Sequence, residues 1–202
     1  MSVPLLPGHG TRWEDLAATG ADEIRAAVRA VVDLELARHG RVVMAGISMG
    51  GALALDAAAH RPVAGVLVVN PALRFASPLA PFAPLLAPFV PTVAPIADDI
   101  ADPTARERAY PRTPVAGVAA LGRIQRAARR ALPRITAPVT VYRSARDAVV
   151  PASSHRTLVR GLRQAPVEVV GLPRSRHVAT LDYDLPLLID HGRSAVAAMT
   201  TH

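Results

Sequence analysis

Ser48 lies at the centre of a Gly-x-Ser-x-Gly pattern, Gly46-Ile47-Ser48-Met49-Gly50, where an apolar run meets a helix-forming run. Glycines on both sides of a serine permit a sharp turn from strand to helix, and such a turn exposes the hydroxyl at the end of the strand. An exposed hydroxyl at this place is typical of a nucleophile that attacks a carbonyl carbon. The alternative is an ordinary serine in a glycine-rich turn.

Two further residues add to the chemistry that Ser48 suggests. Asp147 and His177 each follow an apolar run that predicts a strand. Such chemistry needs a hydroxyl nucleophile, a base, a carboxylate that orients the base, and donors for the oxyanion, and the sequence offers the first three of these four parts. The alternatives are that Asp147 caps a turn and that His177 is a structural histidine held by Asp182 or Asp184.

Alternating strand and helix patterns must position these residues, and they predict an α/β fold with a mostly parallel sheet and helices on both faces. Helices are expected over 22–40, 52–60, 115–132, 153–162 and 185–199, strands over 41–45, 63–69, 139–142 and 167–170, and the end of a short strand at Leu5-Leu6. The parallel strands would bring their carboxyl ends, and the residues that follow them, to one edge of the sheet.

The stretch between Pro71 and Pro138 departs from this alternation. Its first part contains prolines at 78, 81, 84, 88, 91 and 95, which remove too many backbone donors for an ordinary transmembrane helix. The Leu and Phe side chains between these prolines indicate a lid that covers an acyl pocket, because a solvated linker would not contain so many of them. We therefore predict a core over 1–72 and 137–202 and a cap insertion over 73–136.

Composition limits the other function classes. The chain of 202 residues fits one domain, and its charge of +7 comes from arginine without lysine, which indicates a compositional bias rather than a nucleic-acid site. Cysteine is absent and no histidines have metal-ligand spacing, so we expect no thiolate chemistry and no metal. The N-terminus does not resemble a signal peptide, so a cytoplasmic location is expected.

The motifs together resemble those of α/β-hydrolases, and more narrowly of the bacterial carboxylesterase and monoacylglycerol-lipase-like branch. The matching stretches are Pro7–Gly10, Gly46–Gly51, Ser144–Pro151 and Ser175–Asp182, which together span almost the whole chain. The order Ser, Asp, His along the chain is also the order that this family uses.

The resemblance implies a role for each site residue. Ser48 is the expected nucleophile, His177 the general base and then acid, Asp147 the carboxylate that orients the imidazole, and the backbone N–H of Met49 one oxyanion donor. It also implies a carboxylic ester substrate with a short or medium acyl chain or a monoacylglycerol-like structure. No cofactor and no nucleic-acid partner are expected, and contact with a lipid surface would be weak.

The front of the chain departs from the family pattern. Related enzymes begin with further strands, and a loop after one of them supplies the second oxyanion donor. Two explanations fit: a longer natural protein, which we favour because Ser48, Asp147 and His177 are all present, or a shortened and impaired relative. The alternative functions are accordingly a hydrolase-like ligand-binding protein, or a binder of anionic surfaces through Arg123, Arg126, Arg129 and Arg130.

Overall fold

The computed structural model describes residues 1–201. Along the chain, the elements are α1 (Trp13–Ala18), α2 (Ala21–His39), β1 (Val43–Ile47), α3 (Ser48–Ala58), β2 (Gly65–Val69), α4 (Ala83–Leu86), β3 (Thr92–Val93), β4 (Thr113–Pro114), α5 (Val115–Ala131), β5 (Val139–Ser144), α6 (Ala152–Gly161), β6 (Val167–Leu172) and α7 (Leu185–Thr200). Single 3₁₀ turns occupy Ala80–Phe82, Leu132–Arg134 and Ala179–Leu181.

The central sheet has four parallel strands in the order β1-β2-β5-β6, which confirms the predicted fold class. Alternate residues of β2 point to opposite faces. Val66 and Val68 join the core formed with α2, α3, α5 and α6, whereas Leu67 and Val69 join a smaller cluster that α7 covers. Burial on both faces explains why this strand is apolar throughout.

Helix α5 belongs to the core, although the sequence placed it in the predicted cap, 73–136. Its residues Ala120, Ile124 and Ala128 lie in the same apolar cluster as α3 and the strands. These positions recur at helical spacing and are fully buried, so α5 covers the sheet layer instead of a separate cap. Within the predicted cap, the part before Val115 consists of short or irregular elements.

The N-terminal strand predicted at Leu5-Leu6 is wrong, because residues 1–12 contain no strand. Pro4 and Pro7 flank the two leucines and supply no backbone N–H, and His9 N donates to Leu6 O in a turn (3.0 Å). Helix α1, between residues 13 and 18, was not predicted. Among residues 1–201, none of the helices has both the length and the apolar character to cross a bilayer.

Candidate active site

The candidate residues lie where the four parallel strands end. The register pairs Ile47 with Val69 and Val69 with Tyr142, so the segments that follow β1, β2 and β5 begin side by side. Ala72 N donates to Ser48 O (3.0 Å) and fixes the segment after β2 against the turn after β1. This edge of a parallel sheet is where α/β folds place their ligand sites.

Ser48 sits in a strained turn between β1 and α3. Its φ of 51° lies in the left-handed region, which is unfavourable for a residue with a Cβ. Gly46 makes the turn possible, because a Cβ there would overlap the carbonyl group of Gly50. Gly51 is constrained less severely, since a Cβ on it would lie 2.9 Å from Pro71 Cβ, whereas Gly50 has open space.

The helix therefore starts four residues earlier than predicted, at Ser48 itself. Strand β1 correspondingly ends at Ile47 rather than Ala45. Met49 is the second residue of α3, and the first N–H groups of a helix have no acceptor within the helix. Its N–H makes no hydrogen bond within the described chain, as an oxyanion donor requires.

His177 and Asp147 form a buried pair. Imidazole Nδ1 lies 3.0 Å from carboxylate Oδ2, and the Asp147 side chain is 1% exposed. The other carboxylate oxygen accepts from the backbone N–H groups of Val149 (2.9 Å) and Val150 (2.8 Å). Asp147 thus caps a turn and also contacts His177, so its place in the turn is compatible with a role in orienting the imidazole.

His177 lies in the loop after β6, residues 173–178, which we call the histidine loop. Asp182 and Asp184 bind the backbone of this loop rather than the imidazole. Asp182 accepts from the N–H groups of Arg176, Ala101, Asp102 and Tyr183. Asp184 accepts from Arg174 and Ser175. Burial raises the pKa of Asp182, but these backbone donors lower it by more, so its pKa lies below the ordinary value of 3.8. Both carboxylates therefore fix the path of the loop that carries His177.

Asp99 joins the segment between β3 and β4 to the same loop. Its Oδ2 accepts from His177 N (3.2 Å) and Ala148 N (2.9 Å), and its Oδ1 pairs with Arg176 (3.3 Å). Asp99 O also accepts from Val178 N. A single carboxylate thus holds the backbones next to both Asp147 and His177.

Asn70 connects the ends of β2 and β5 to the histidine loop. It is buried, has a φ of 44°, and donates from Nδ2 to His177 O and to Ser144 Oγ, both at 2.8 Å. Its Oδ1 accepts from Ser144 N (2.9 Å). Asparagine tolerates this backbone conformation better than most residues, which suits it to the position.

Ser48 is adjacent to this assembly but not hydrogen-bonded to His177. Its hydroxyl makes no hydrogen bond among residues 1–201, while its backbone and that of His177 are both bound to residues 70–72. Contacts between nucleophile and base are often longer before substrate binds. The described chain contains no group of three His, Cys, Asp or Glu residues that could hold a metal ion.

Comparison with known proteins agrees with this geometry. The pattern of the alpha/beta hydrolase family matches residues 3–189. The chain belongs to the alpha/beta hydrolase family. A thermostable monoacylglycerol lipase from Bacillus sp. (strain H-257) is 32% identical over 189 residues, which are 93% of this chain and 75% of that lipase.

Two solved hydrolase structures resemble the chain. One is from work on the metagenome-derived lipolytic enzymes LipS and LipT, with 33% identity, a TM-score of 0.91, and coverage of 98% of this chain and 81% of the other. A soluble variant of monoglyceride lipase from Saccharomyces cerevisiae shares the fold at 17% identity, with a TM-score of 0.74 and coverage of 91% and 71%. The resemblance to the esterase and lipase branch of the alpha/beta hydrolase family is confirmed.

Proposed function

We propose that this alpha/beta hydrolase cleaves carboxylic esters through an acyl-enzyme on Ser48. The observation that carries the proposal is the 3.0 Å contact between His177 Nδ1 and Asp147 Oδ2, beside a serine in a left-handed turn. Lipases and esterases among the relatives support ester hydrolysis. The assignment of Ser48, Asp147 and His177 as catalytic residues belongs to the same proposal.

The reaction would run in two halves. With a proton on Nδ1 directed at Asp147, His177 keeps Nε2 free to accept the proton of the Ser48 hydroxyl as its oxygen attacks the ester carbon. The Met49 N–H stabilises the oxyanion, and His177 returns the proton to the departing alcohol. Water then attacks the acyl-enzyme with His177 again as the base, which releases the acid and restores Ser48.

We propose residues 74–114 as the cap, and an acyl chain of short or medium length as its ligand. Leu79, Phe82, Leu85 and Phe89 are more than half exposed there. Exposed apolar side chains in a segment that Asp99 joins to the loop carrying His177 favour an apolar substrate and weak contact with a lipid surface. Monoacylglycerols are the most specific substrate class that we propose, and the cytoplasmic location remains a prediction.

A fluorophosphonate probe tests the acyl-enzyme step. It should label the wild-type protein and the control Ser194→Ala, whose serine is exposed on α7, but not Ser48→Ala. Circular dichroism would establish that each variant is folded. A folded wild-type protein that stays unlabelled would contradict the proposal.

A cleft of about 640 Å³ beside β1 favours a second candidate function. It is lined by the N-terminal residues, α2, β1 and part of the turn between β1 and α3, including Ile47 and Gly50. A folded protein that binds monoacylglycerol in equilibrium dialysis, yet neither hydrolyses it nor reacts with the probe, would be a hydrolase-like binding protein.

A further inference from the structure

A second concave pocket, of about 430 Å³, lies between α5, α6 and the segment that follows β2. Half of its lining residues are arginines: Arg74, Arg129, Arg156, Arg160 and Arg163. The other lining residues are neutral. This basic pocket is separate from the candidate active site, with which it shares no lining residue.

The local sequence explains why the basic pocket has no carboxylate. Residues 108–167 contain twelve arginines and a single acid, Asp147, which is paired with His177. Helix α6 lines the pocket at positions 153, 156, 157 and 160, which are spaced three or four residues apart. Arg156 and Arg160 therefore extend from the same face of the helix. That face looks towards Arg74 and Arg129 across the pocket.

Neutral acceptors orient two of these arginines. Arg74 Nε donates to Thr157 Oγ1 (2.7 Å), and the Arg129 guanidinium donates to the carbonyl oxygen of Leu73. Among residues 1–201, none of the five forms an ion pair. By contrast, Arg25 and Arg29 share the carboxylate of Asp56. The remaining guanidinium donors of the basic pocket are therefore available to a ligand.

The repulsion between neighbouring arginines also favours binding of an anion. Burial lowers the pKa of Arg129, and the nearby charges of Arg74, Arg126 and Arg130 lower it further. Each effect reflects a cost of holding the guanidinium charged at this position. An anion in the pocket would reduce that cost by supplying the opposite charge that the protein does not provide.

We propose that the basic pocket binds a small phosphate-bearing anion. Planar guanidinium groups match the oxygen atoms of a phosphate with paired hydrogen bonds, and several arginines suit a group with more than one negative charge. The phosphate is either that of a free small molecule or that of a lipid headgroup.

Calorimetric titration with inorganic pyrophosphate at low salt tests the proposal. Arg156→Gln/Arg160→Gln should weaken binding at least tenfold, because it removes two charged donors from the pocket. Arg123→Gln/Arg193→Gln removes the same charge from exposed positions of α5 and α7 outside the pocket, and should weaken binding less than twofold. Melting curves would establish that both double variants fold.

Sedimentation with vesicles identifies the source of the phosphate. Binding to vesicles that contain phosphatidic acid, but not to phosphatidylcholine vesicles, with the same dependence on Arg156 and Arg160, assigns the pocket to a lipid headgroup. Binding of pyrophosphate alone assigns it to a free phosphate compound. The proposal is overturned if the wild-type protein binds neither probe at low salt, or if the two double variants weaken binding equally.

Discussion

Asp99 is one of the residues through which the proposed cap contacts the loops that carry Asp147 and His177. Its carboxylate accepts hydrogen bonds next to Asp147 and His177 but does not touch either side chain. A residue placed in this way positions the histidine and the carboxylate without taking part in proton transfer. Its loss should therefore affect the rate of the chemical step more than substrate binding.

We expect Asp99→Asn to lower kcat roughly tenfold with little change in KM, because a charge-assisted hydrogen bond contributes about 1.5 to 3 kcal/mol. Asp102→Asn is the matched control, since this neighbouring carboxylate bonds Thr104 within the cap segment. Ester hydrolysis kinetics and the low-field imidazole proton of His177 would be measured. An equal loss of activity in both variants, or a change confined to KM, would contradict a positioning role.

The stability that Asp182 gives to the histidine loop depends on pH. Its folded-state pKa lies below 3.8, so the folded protein releases this proton more readily than the unfolded chain. The stabilisation is therefore fully present above pH 3.8 and is lost as the pH falls through the lowered pKa.

Asp182→Asn should reduce the free energy of unfolding by about 2 to 3 kcal/mol at pH 7, because four backbone donors lose a charged acceptor. The difference from wild type should shrink towards pH 3. Urea unfolding at several pH values would measure it, with exposed Asp190→Asn as the control. A difference that does not depend on pH would count against this account.

Chain order and local pattern were sufficient to select Ser48, Asp147 and His177 as candidates, from the Gly46–Gly50 pattern and from the strand ends that precede the acid and the histidine. Of the contacts that this selection implies, the structure contains the one between Asp147 and His177. Asn70 and Asp99 were missed, because their contacts join segments far apart in the chain. An asparagine directly after a buried strand was a usable signal for Asn70, whereas no local pattern around Asp99 indicates its distant partners.

At the level of elements, the turn between β1 and α3 depends unequally on its glycines. Gly46→Ala should destabilise the protein by about 1 to 3 kcal/mol, because the added Cβ would overlap the Gly50 carbonyl group. Gly50→Ala is the matched control and should stabilise α3 by about 0.5 to 1 kcal/mol, because it has space and an ordinary backbone conformation. Chemical denaturation would measure both, and equal effects would show that the crowding at Gly46 is unimportant.

Strong periodicity made most elements predictable, and tertiary context decided the exceptions. Helices α2, α5, α6 and α7 lie within about two residues of their predicted bounds, because each has a clear apolar stripe or end signal. The start of α3 was missed because glycines ordinarily disfavour helix, and here a close approach to β1 requires them. The Leu5-Leu6 strand failed because two apolar residues between prolines carry too little information.

For the whole molecule, the distribution of apolar surface suggests how substrates are selected. Phe89→Ser should lower kcat/KM about tenfold for a medium-chain monoacylglycerol, since burial of a phenyl group contributes roughly 1.5 to 3 kcal/mol, and should leave a short-chain ester unaffected. Phe89 is 83% exposed in the proposed cap. Leu34→Ser, on α2, is the control. Equal losses on both esters would contradict a role for Phe89 in acyl-chain binding.

The placement of the proposed cap between two paired strands has a consequence for chain entropy. Val66 of β2 pairs with Val139 of β5, so the entire cap lies within the loop that this pairing closes. The entropic cost of closing a flexible loop rises only with the logarithm of its length, by about 0.6 kcal/mol for each doubling. Insertions between residues 74 and 114 could therefore remodel the substrate pocket while the sheet beneath keeps nearly all of its stability.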